Sequence, residues 1–264
     1  MLAIIRGAGD IASAIALRLH KCGVTVIMTE VERPLTVRRT VAFSEAIHSG
    51  KTQVEGVVGV RAESVDDALR RALEGVVPVL VDPKCSCIWL EPDVLVDAIL
   101  AKRNMGTTIG MAPIVIGVGP GFAAGDDCHA VVETMRGHTL GRVYYEGSAL
   151  PNTAVPGLVG GFAGERVLRA PSDGTFREVA SIRDHVEAGQ AVAYVDDAPV
   201  IATLTGTLRG LLAGGTHVTK GLKCGDIDPR DEVSHCETVS DKGLAVAGGV
   251  LEAILHLSDT LTKA

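Results

Sequence analysis

The feature that most constrains this chain is Leu2 to Ala12, LAIIRGAGDIA, where a short apolar run breaks into Gly7-Ala8-Gly9-Asp10-Ile11-Ala12. This is the G-x-G-x-x-A form of the dinucleotide fingerprint. Gly7 permits the tight turn, Gly9 lets a phosphate approach the backbone, and Ala12 lets helix and strand pack closely. Ser13 to His20 then has the small and apolar spacing of an amphipathic helix, and Cys22-Gly23 ends it. Val24 to Met28 reads as a second strand with Glu30 at its carboxyl end, the separation at which a carboxylate accepts hydrogen bonds from a ribose. The spacing therefore predicts a Rossmann-like βαβ unit. Two charges set this loop apart from an ordinary NAD site. Asp10 would repel a pyrophosphate, and Arg6, just before the first glycine, offers the opposite charge.

Composition narrows the interior. Of the 264 residues 47% are apolar but only 3% aromatic, so the core has to be built from Val, Ala, Leu and Ile, as suits parallel strands covered by helices. A formal net charge of −7 argues against a general nucleic-acid binder. The start, MLAIIRGAG, lacks a basic n-region and is not expected to be a signal peptide. No apolar run approaches membrane-spanning length. A cytoplasmic protein that engages neither nucleic acid nor membrane is the expectation. Cys22, Cys85, Cys87, Cys128, Cys224 and Cys236 are too scattered to read as a disulfide framework.

In chain order, Leu35 to Ile47 has apolar positions that fit a helix on the sheet. Arg38 and Arg39 near its start are either a solvated helix terminus or a clamp on a second phosphate. Gln53 to Arg61 reads as a strand pair. Ser64 caps a helix through Leu73, with Asp66 and Asp67 in its first turn. Val76 to Val81 is a core strand ending in Asp82. Pro92 to Arg103 is expected as a helix, acidic early and basic late. Pro113 to Val118 is a further strand that opens into a second glycine loop containing Gly117, Gly119 and Gly121. Since ligands of open α/β sheets bind at the carboxyl ends of strands, Asp82 and both glycine loops should share one edge. His129 to Met135 and Arg142 to Glu146 read as strands.

Composition changes near Pro151 to Gly161, which marks a boundary. Residues 1–155 form the expected nucleotide- or cofactor-binding domain. A small all-β domain over 166–232 carries an internal repeat: Gly174 answers to Gly206, His185 to His217 and Gly189 to Gly221, each pair 32 residues apart. The repeat resembles the two halves of biotinyl- and lipoyl-type barrel-sandwich domains. The hairpin between the halves, Val195 to Pro199, has no lysine, so a swinging-arm carrier is not expected. Residues 238–258 contain a helix from Asp241 to His256, capped by Ser240, with Leu244, Ala247, Leu251 and Ile254 along the face that returns to the first domain. The fold class is thus α/β with an appended barrel-sandwich-like module.

Chemistry has few candidates. Cys85-Ser86-Cys87 follows Asp82 on the ligand edge; two thiolates can share a metal, or they are loop thiols without a role. Asp126 and His129 follow the second glycine loop and could act as acid and base; the alternative is a strand start with ordinary surface groups. No nucleophile elbow, phosphate-binding G-x-x-x-x-G-K-[ST] loop or H-E-x-x-H occurs.

IIRGAGDIASAIALRLHKCG, TEVERPLTVRRTVAFSEAI, LEPDVLVDAILAKRN, APIVIGVGPGF, HAVVETMRGHTLGRV and SDKGLAVAGGVLEAI together resemble the YqeB-type accessory proteins of selenium-dependent molybdenum hydroxylase systems. The likeness spans nearly the whole chain. It implies a role in maturing such a hydroxylase, with the client enzyme or its maturation machinery as partner and a molybdopterin-type cofactor or other nucleotide as ligand. It brings no catalytic residues with it. The GAGD loop also resembles the GAGH loop of XdhC-type molybdenum cofactor chaperones. Under the maturation reading Arg6, Arg38 and Arg39 neutralise phosphates while Glu30 takes a ribose hydroxyl. The competing expectation is an NAD(P)-dependent oxidoreductase with His129 or Asp126 as acid–base, and a third is a scaffold with an empty cleft.

Overall fold

The computed structural model describes residues 1–258. They fall into two compact units, the first comprising Met1–Pro34, Ala42–Thr153 and the chain from Val239, the second Leu35–Val41 and Ala154–Thr238.

The first unit is mixed α/β. Its elements are β1 (Leu2–Arg6), α1 (Asp10–Lys21), β2 (Thr25–Glu30), α2 (Glu45–Ser49), β3 (Lys51–Val54), β4 (Val57–Ala62), α3 (Val65–Leu73), β5 (Val77–Val81), β6 (Val94–Asp97), β7 (Ile114–Val118), β8 (Ala130–Val132), β9 (Val143–Tyr144) and α4 (Asp241–Leu257). The strands make one sheet in the order β3-β4-β5-β2-β1-β6-β7-β8-β9. It is parallel from β4 to β8 and antiparallel at both edges. Ile4, Ile27, Leu95 and Val115 are fully buried and cluster with Ala68 and Ala72 of α3 and with Phe122. Elsewhere α4 packs on α1 and against β7, β8 and β9. The sheet is covered on both faces, as continuous apolar parallel strands require. Because β2 lies to one side of β1 and β6 to the other, the strand order reverses at β1, and the carboxyl ends of β1 and β6 are the switch point at which sheets of this kind leave a crevice for a ligand.

Several local expectations change. The segment 92–103 is no helix: Val94–Asp97 is the buried strand β6, followed by a loop in which Leu100 and Lys102 take positive φ of 60° and 65°. A run of Val-Leu-Val suits a sheet centre better than its flanking charges suit a helix dipole. The helix expected over 35–47 reduces to a 3-10 turn at Arg39–Val41 and the short α2. The strands expected over 129–135 and 142–146 contract to β8 and β9. Ser64 and Ser240 cap α3 and α4, accepting from the amides of Asp67 and Gly243. The buried face of α4 is Gly243, Val246, Ala247, Gly249, Val250, Ala253 and Ile254, while Leu244 is exposed. Glycines decide that face: a Cβ at Gly243 would stand 2.8 Å from Ala14 Cβ, and one at Gly249 would strike Gly141 O.

The second unit contains β10 (Val167–Arg169), β11 (Gly174–Glu178), β12 (His185–Val186), β13 (Ala191–Val195), β14 (Ala198–Ile201), β15 (Gly206–Leu211), β16 (His217–Val218) and β17 (Lys223–Asp228). They form two four-stranded sheets, β10-β17-β15-β12 and β14-β13-β11-β16. A shift of 32 residues carries β11, β12 and β13 onto the starts of β15, β16 and β17, so each sheet combines strands from both halves of the repeat. Gly174 and Gly206 both need positive φ, 150° and 155°. Arg166, Arg209, Asp226 and Asp228 form a buried ionic network. The early segment Leu35–Val41 belongs here: Leu211 N donates to Val37 O at 2.8 Å, and Val37 joins this unit's core.

Among the described residues no helix is long and apolar enough to cross a membrane.

Candidate functional site

At the end of β1 the chain turns sharply. Gly7 has φ +94°, donates its N–H to Thr29 O at 2.8 Å, and has no room for a Cβ, which would lie 3.0 Å from Ala98 O. Gly9 is extended and caps α1 without a side chain, so the first-turn amides of that helix carry no side-chain cap. Ser13 ties the loop down, donating through Oγ to Ala8 O at 3.0 Å and accepting from Phe43 N at 2.7 Å. Ala12 is buried, as close helix–strand packing demands.

Glu30 stands where a ribose-binding carboxylate belongs, but it already holds the loop. Its Oε2 accepts from Ala8 N at 2.9 Å and its Oε1 from Val31 N at 2.8 Å. Burial pushes its carboxyl above the ordinary range, and the two amides only partly oppose that. Each oxygen keeps a further lone pair for a ligand.

The arginines picked out as phosphate partners are committed elsewhere. Arg6 is buried, pairing through Nη1 with Asp97 at 3.1 Å and donating to Thr107 Oγ1 and, at 3.4 Å, Met105 O. Asp97 also accepts from Thr107 Oγ1 at 2.6 Å and Ile99 N at 3.2 Å. Arg6 thus buttresses the end of β6. Arg38 and Arg39 lie in the second unit, where Arg38 donates to His235 O and Thr238 O while Arg39 donates to Leu211 O and pairs with Glu178 at 3.1 Å. These bonds fasten Leu35–Val41 within the second unit.

The second glycine loop owes its glycines to internal packing. A Cβ at Gly117 would run into the Phe122 ring, one at Gly119 would meet Thr134 Oγ1 at 2.8 Å, and one at Gly121 would lie 2.6 Å from Arg103 Cα. The 100–103 loop is thereby drawn against Gly121. Asp82 holds the turn after β5. Burial acts to raise its carboxyl, yet hydrogen bonds from the Ser86 and Cys87 amides prevail and keep it below the usual range.

Asp126 and His129 lie away from the crevice. His129 precedes β8 and accepts at Nδ1 from Val115 N, near the start of β7, which is the amino end of these parallel strands. Asp126 is exposed in the preceding turn. Glu133, just past β8, does lie at the carboxyl edge, fully buried and accepting from the amides of Thr134, Met135 and Leu150 at 2.7 to 2.8 Å. Among the described residues no group of three or more His, Cys, Asp or Glu side chains could hold a metal ion, so Cys85 and Cys87 lack further ligands of these kinds.

Two lysines were missed. Lys102 lies in the loop drawn against Gly121, and Lys242 is the second residue of α4, next to Gly243, which packs on Ala14. Burial pushes both amines down; for Lys242 the Lys102 charge adds to this while Asp10 opposes it. Neither amine has a hydrogen-bond or ion-pair partner among the described residues. Arg136, beside them, is held by Asp241 at 2.5 and 2.8 Å. The available signal was Lys242 itself, a cation in a helix first turn where the macrodipole disfavours it.

No family model matches the chain. Over all 264 residues it is 50% identical to the uncharacterized protein YqeB of Escherichia coli K12. The match supports a YqeB-type family. The chain spans about half of that relative, 49% of its length. Among solved structures, an aspartoacylase family protein from Mesorhizobium loti is 13% identical with a TM-score of 0.26, covering 86% of this chain and 84% of that one. A succinylglutamatedesuccinylase/aspartoacylase from Rhodobacter sphaeroides is 14% identical with the same TM-score, covering 86% and 85%. Likeness at that level carries no argument about this chain.

Proposed function

We propose that the first unit binds a phosphate-bearing ligand, a nucleotide or nucleotide-bearing pterin, at the crevice between β1 and β6. The observation that carries this is the pair of unpartnered amines, Lys102 and Lys242, beside Asp10 and the start of α1. Two neighbouring amines that repel one another are stabilised by an anion placed between them, and an uncapped helix N-terminus adds donors aimed at that anion. The lysines and the first-turn amides of α1 would take the phosphates, and Glu30 a ribose hydroxyl. The likeness to YqeB-type proteins extends this to an accessory role: a cytoplasmic maturation factor for a selenium-dependent molybdenum hydroxylase. In that reading the second unit, a barrel-sandwich-like module without a carrier lysine, docks the client or its machinery. An NAD(P)-dependent oxidoreductase has less support, since Asp126 and His129 lie away from the crevice.

The test is calorimetric titration of the full chain with inorganic pyrophosphate, NAD, NADP and a pterin dinucleotide. A charge-assisted hydrogen bond contributes about 1.5–3 kcal/mol. Each Lys→Ala change should therefore weaken the binding partner roughly ten- to hundredfold. Unchanged affinity in the Lys102→Ala, Lys242→Ala double variant would remove the site.

A further inference from the structure

The second unit holds a histidine–carboxylate pair that the proposed phosphate site does not use. His185 of β12 stands directly across from Thr207 of β15, and Thr207 across from Asp228 of β17, so the three side chains share one face of the sheet. The turn after β17 then brings in Asp231. Its Oδ1 and Oδ2 lie 3.0 and 2.9 Å from His185 Nδ1, and Oδ1 also accepts from Thr207 Oγ1 at 2.7 Å. These bonds hold the Asp231 carboxyl below its usual range, that from His185 foremost. An ionised carboxylate only accepts, so in the neutral ring Nδ1 carries the proton and Nε2 keeps its lone pair. The His185 side chain is 55% exposed, and its Nε2 has no partner among the described residues.

The internal repeat supplies a comparison. A shift of 32 residues carries Thr175 onto Thr207, and each threonine pairs across strands with a histidine, Thr175 with His217 and Thr207 with His185. Turn architecture alone would leave the two histidines equivalent. Yet the His217 ring has no hydrogen-bond or ion-pair partner among the described residues, while His185 has a carboxylate braced by a threonine only 1% exposed. The bracing is also strained. Asp231 has φ +54°, and Arg183, two residues before His185, has φ +96° with its N–H fixed on Leu208 O at 2.9 Å. Such strain persists only where the surroundings impose it, and it collects at functional sites. A carboxylate on Nδ1 orients an imidazole and stabilises the cation formed when Nε2 attacks. Arg230, next to Asp231 in the chain and 2.6 Å from Asp228, adds a half-exposed guanidinium, the group that suits phosphoryl oxygens.

We propose that His185 is a phosphoryl-acceptor site, taking the group on Nε2 from a donor of the phosphoramidate class. That class is matched because the bond broken is of the kind formed. The Nε2 lone pair makes the new N–P bond while the donor's N–P bond breaks, its electron pair leaving on the donor nitrogen. A phosphoramidate protonated on nitrogen thus departs as neutral ammonia, and the imidazole proton stays on Nδ1. The product is a phosphoimidazolium whose ring charge faces the Asp231 carboxylate.

Trypsin separates the two repeat histidines into peptides 184–209 and 210–220, each with one histidine. The full chain is treated with potassium phosphoramidate and digested at alkaline pH, where phosphohistidine survives. Mass spectrometry then follows each peptide, and phosphorus NMR reports which ring nitrogen is substituted. Peptide 184–209 should gain one phosphoryl group, on Nε2, at least about tenfold faster than 210–220, the weight of one charge-assisted hydrogen bond. In urea the two rates should converge. Asp231→Asn keeps a residue that tolerates positive φ but removes the charge, and should slow His185 by the same factor while leaving His217 unchanged. The comparison within one chain needs no variant, so it decides even where Asp231→Asn does not fold. Equal rates in the folded chain, substitution at Nδ1, or a folded Asp231→Asn chain that reacts as fast as the unsubstituted one would each overturn the proposal. Pyrophosphate titration reads the first unit separately, so failure here leaves the lysine site unaffected.

Discussion

Replacing Asp226 by Asn tests what holds the second unit together. Asp226 is fully buried on β17, and its carboxylate accepts from Arg209 Nε at 2.8 Å and Nη2 at 2.5 Å, and from Arg166 Nη1. Lys223 Nζ lies 3.8 Å away. Two residues on, Asp228 takes Arg209 Nη1 at 3.0 Å and Arg230 Nη2 at 2.6 Å. Arg209 therefore spans two carboxylates from a side chain only 8% exposed. Asparagine keeps the shape but removes the charge and turns an amide donor toward guanidinium donors. Removing one partner of a buried pair costs about 3–5 kcal/mol, because the remaining charge is left uncompensated. A unit of this size is stable by roughly 5–15 kcal/mol in total, so the loss should be large.

Urea unfolding followed by hydrogen exchange at β15 and β17 reads the second unit directly. Trp89, the one tryptophan, belongs to the first unit and serves as the internal control. The Asn variant should lower protection in β15 and β17 by that amount and leave the Trp89 transition in place. The Asp226→Asn, Arg209→Met double variant should cost less than the sum of the single changes, since neither charge is then stranded. A single-variant loss under about 1 kcal/mol would refute the reasoning, placing the pair with exposed ones.

Other consequences are simpler. Gly249→Ala drives a methyl against Gly141 O and to within 2.8 Å of Val132 Cγ1, and should cost the first unit about 1–3 kcal/mol in chemical denaturation, with α4 losing exchange protection first. Ser240→Ala removes the acceptor for Gly243 N and should cost about 1 kcal/mol by the same measurement. Gly121→Ala meets both a positive φ of 109° and the Arg103 backbone, so it should displace the 100–103 loop and weaken pyrophosphate binding along with stability.

What could be read from the sequence was what is local. The β1 loop, Glu30 at the end of β2 and the two serine caps are short-range patterns, and the 32-residue repeat is a pattern in its own right. The helix expected over 92–103 failed because end charges were weighed above a β-branched run, and that error hid Asp97, the partner that removes Arg6 from the phosphate site. That Arg38 and Arg39 belong to the second unit was not legible, because nothing nearby in sequence shows that Leu35–Val41 joins strands from the second half of the chain. Lys102 and Lys242 escaped for the same reason: their proximity is created when α4 returns to pack on α1. The second glycine loop misled in another way, since its glycines make room for Phe122, Thr134 and the Arg103 backbone, and glycine alone does not say what approaches it.

Acid should separate the two units. In the second, Asp226 and Asp228 both resist the rise that burial would give them, because Lys223, Arg209 and Arg166 surround one and Arg230 and Arg209 the other; both end well below the ordinary carboxylate value. A carboxyl depressed on folding contributes stability that is complete above its unfolded value, about 3.9 for Asp, and is lost as pH falls through the folded value. In the first unit Asp82 behaves alike, but Glu30 runs the other way: its folded value is raised, so it stabilises more as pH falls toward the unfolded value near 4.3. Glu30 completes its gain before Asp82 begins its loss, so measured from neutral pH the two offset in part, whereas the two buried aspartates of the second unit add. Below about pH 4, hydrogen-exchange protection in β15 and β17 should therefore fall before Trp89 fluorescence changes, and Asp226→Asn should flatten the acid dependence of that protection. A Trp89 transition that comes first on acidification would mean that the ionic network does not govern the stability of the second unit.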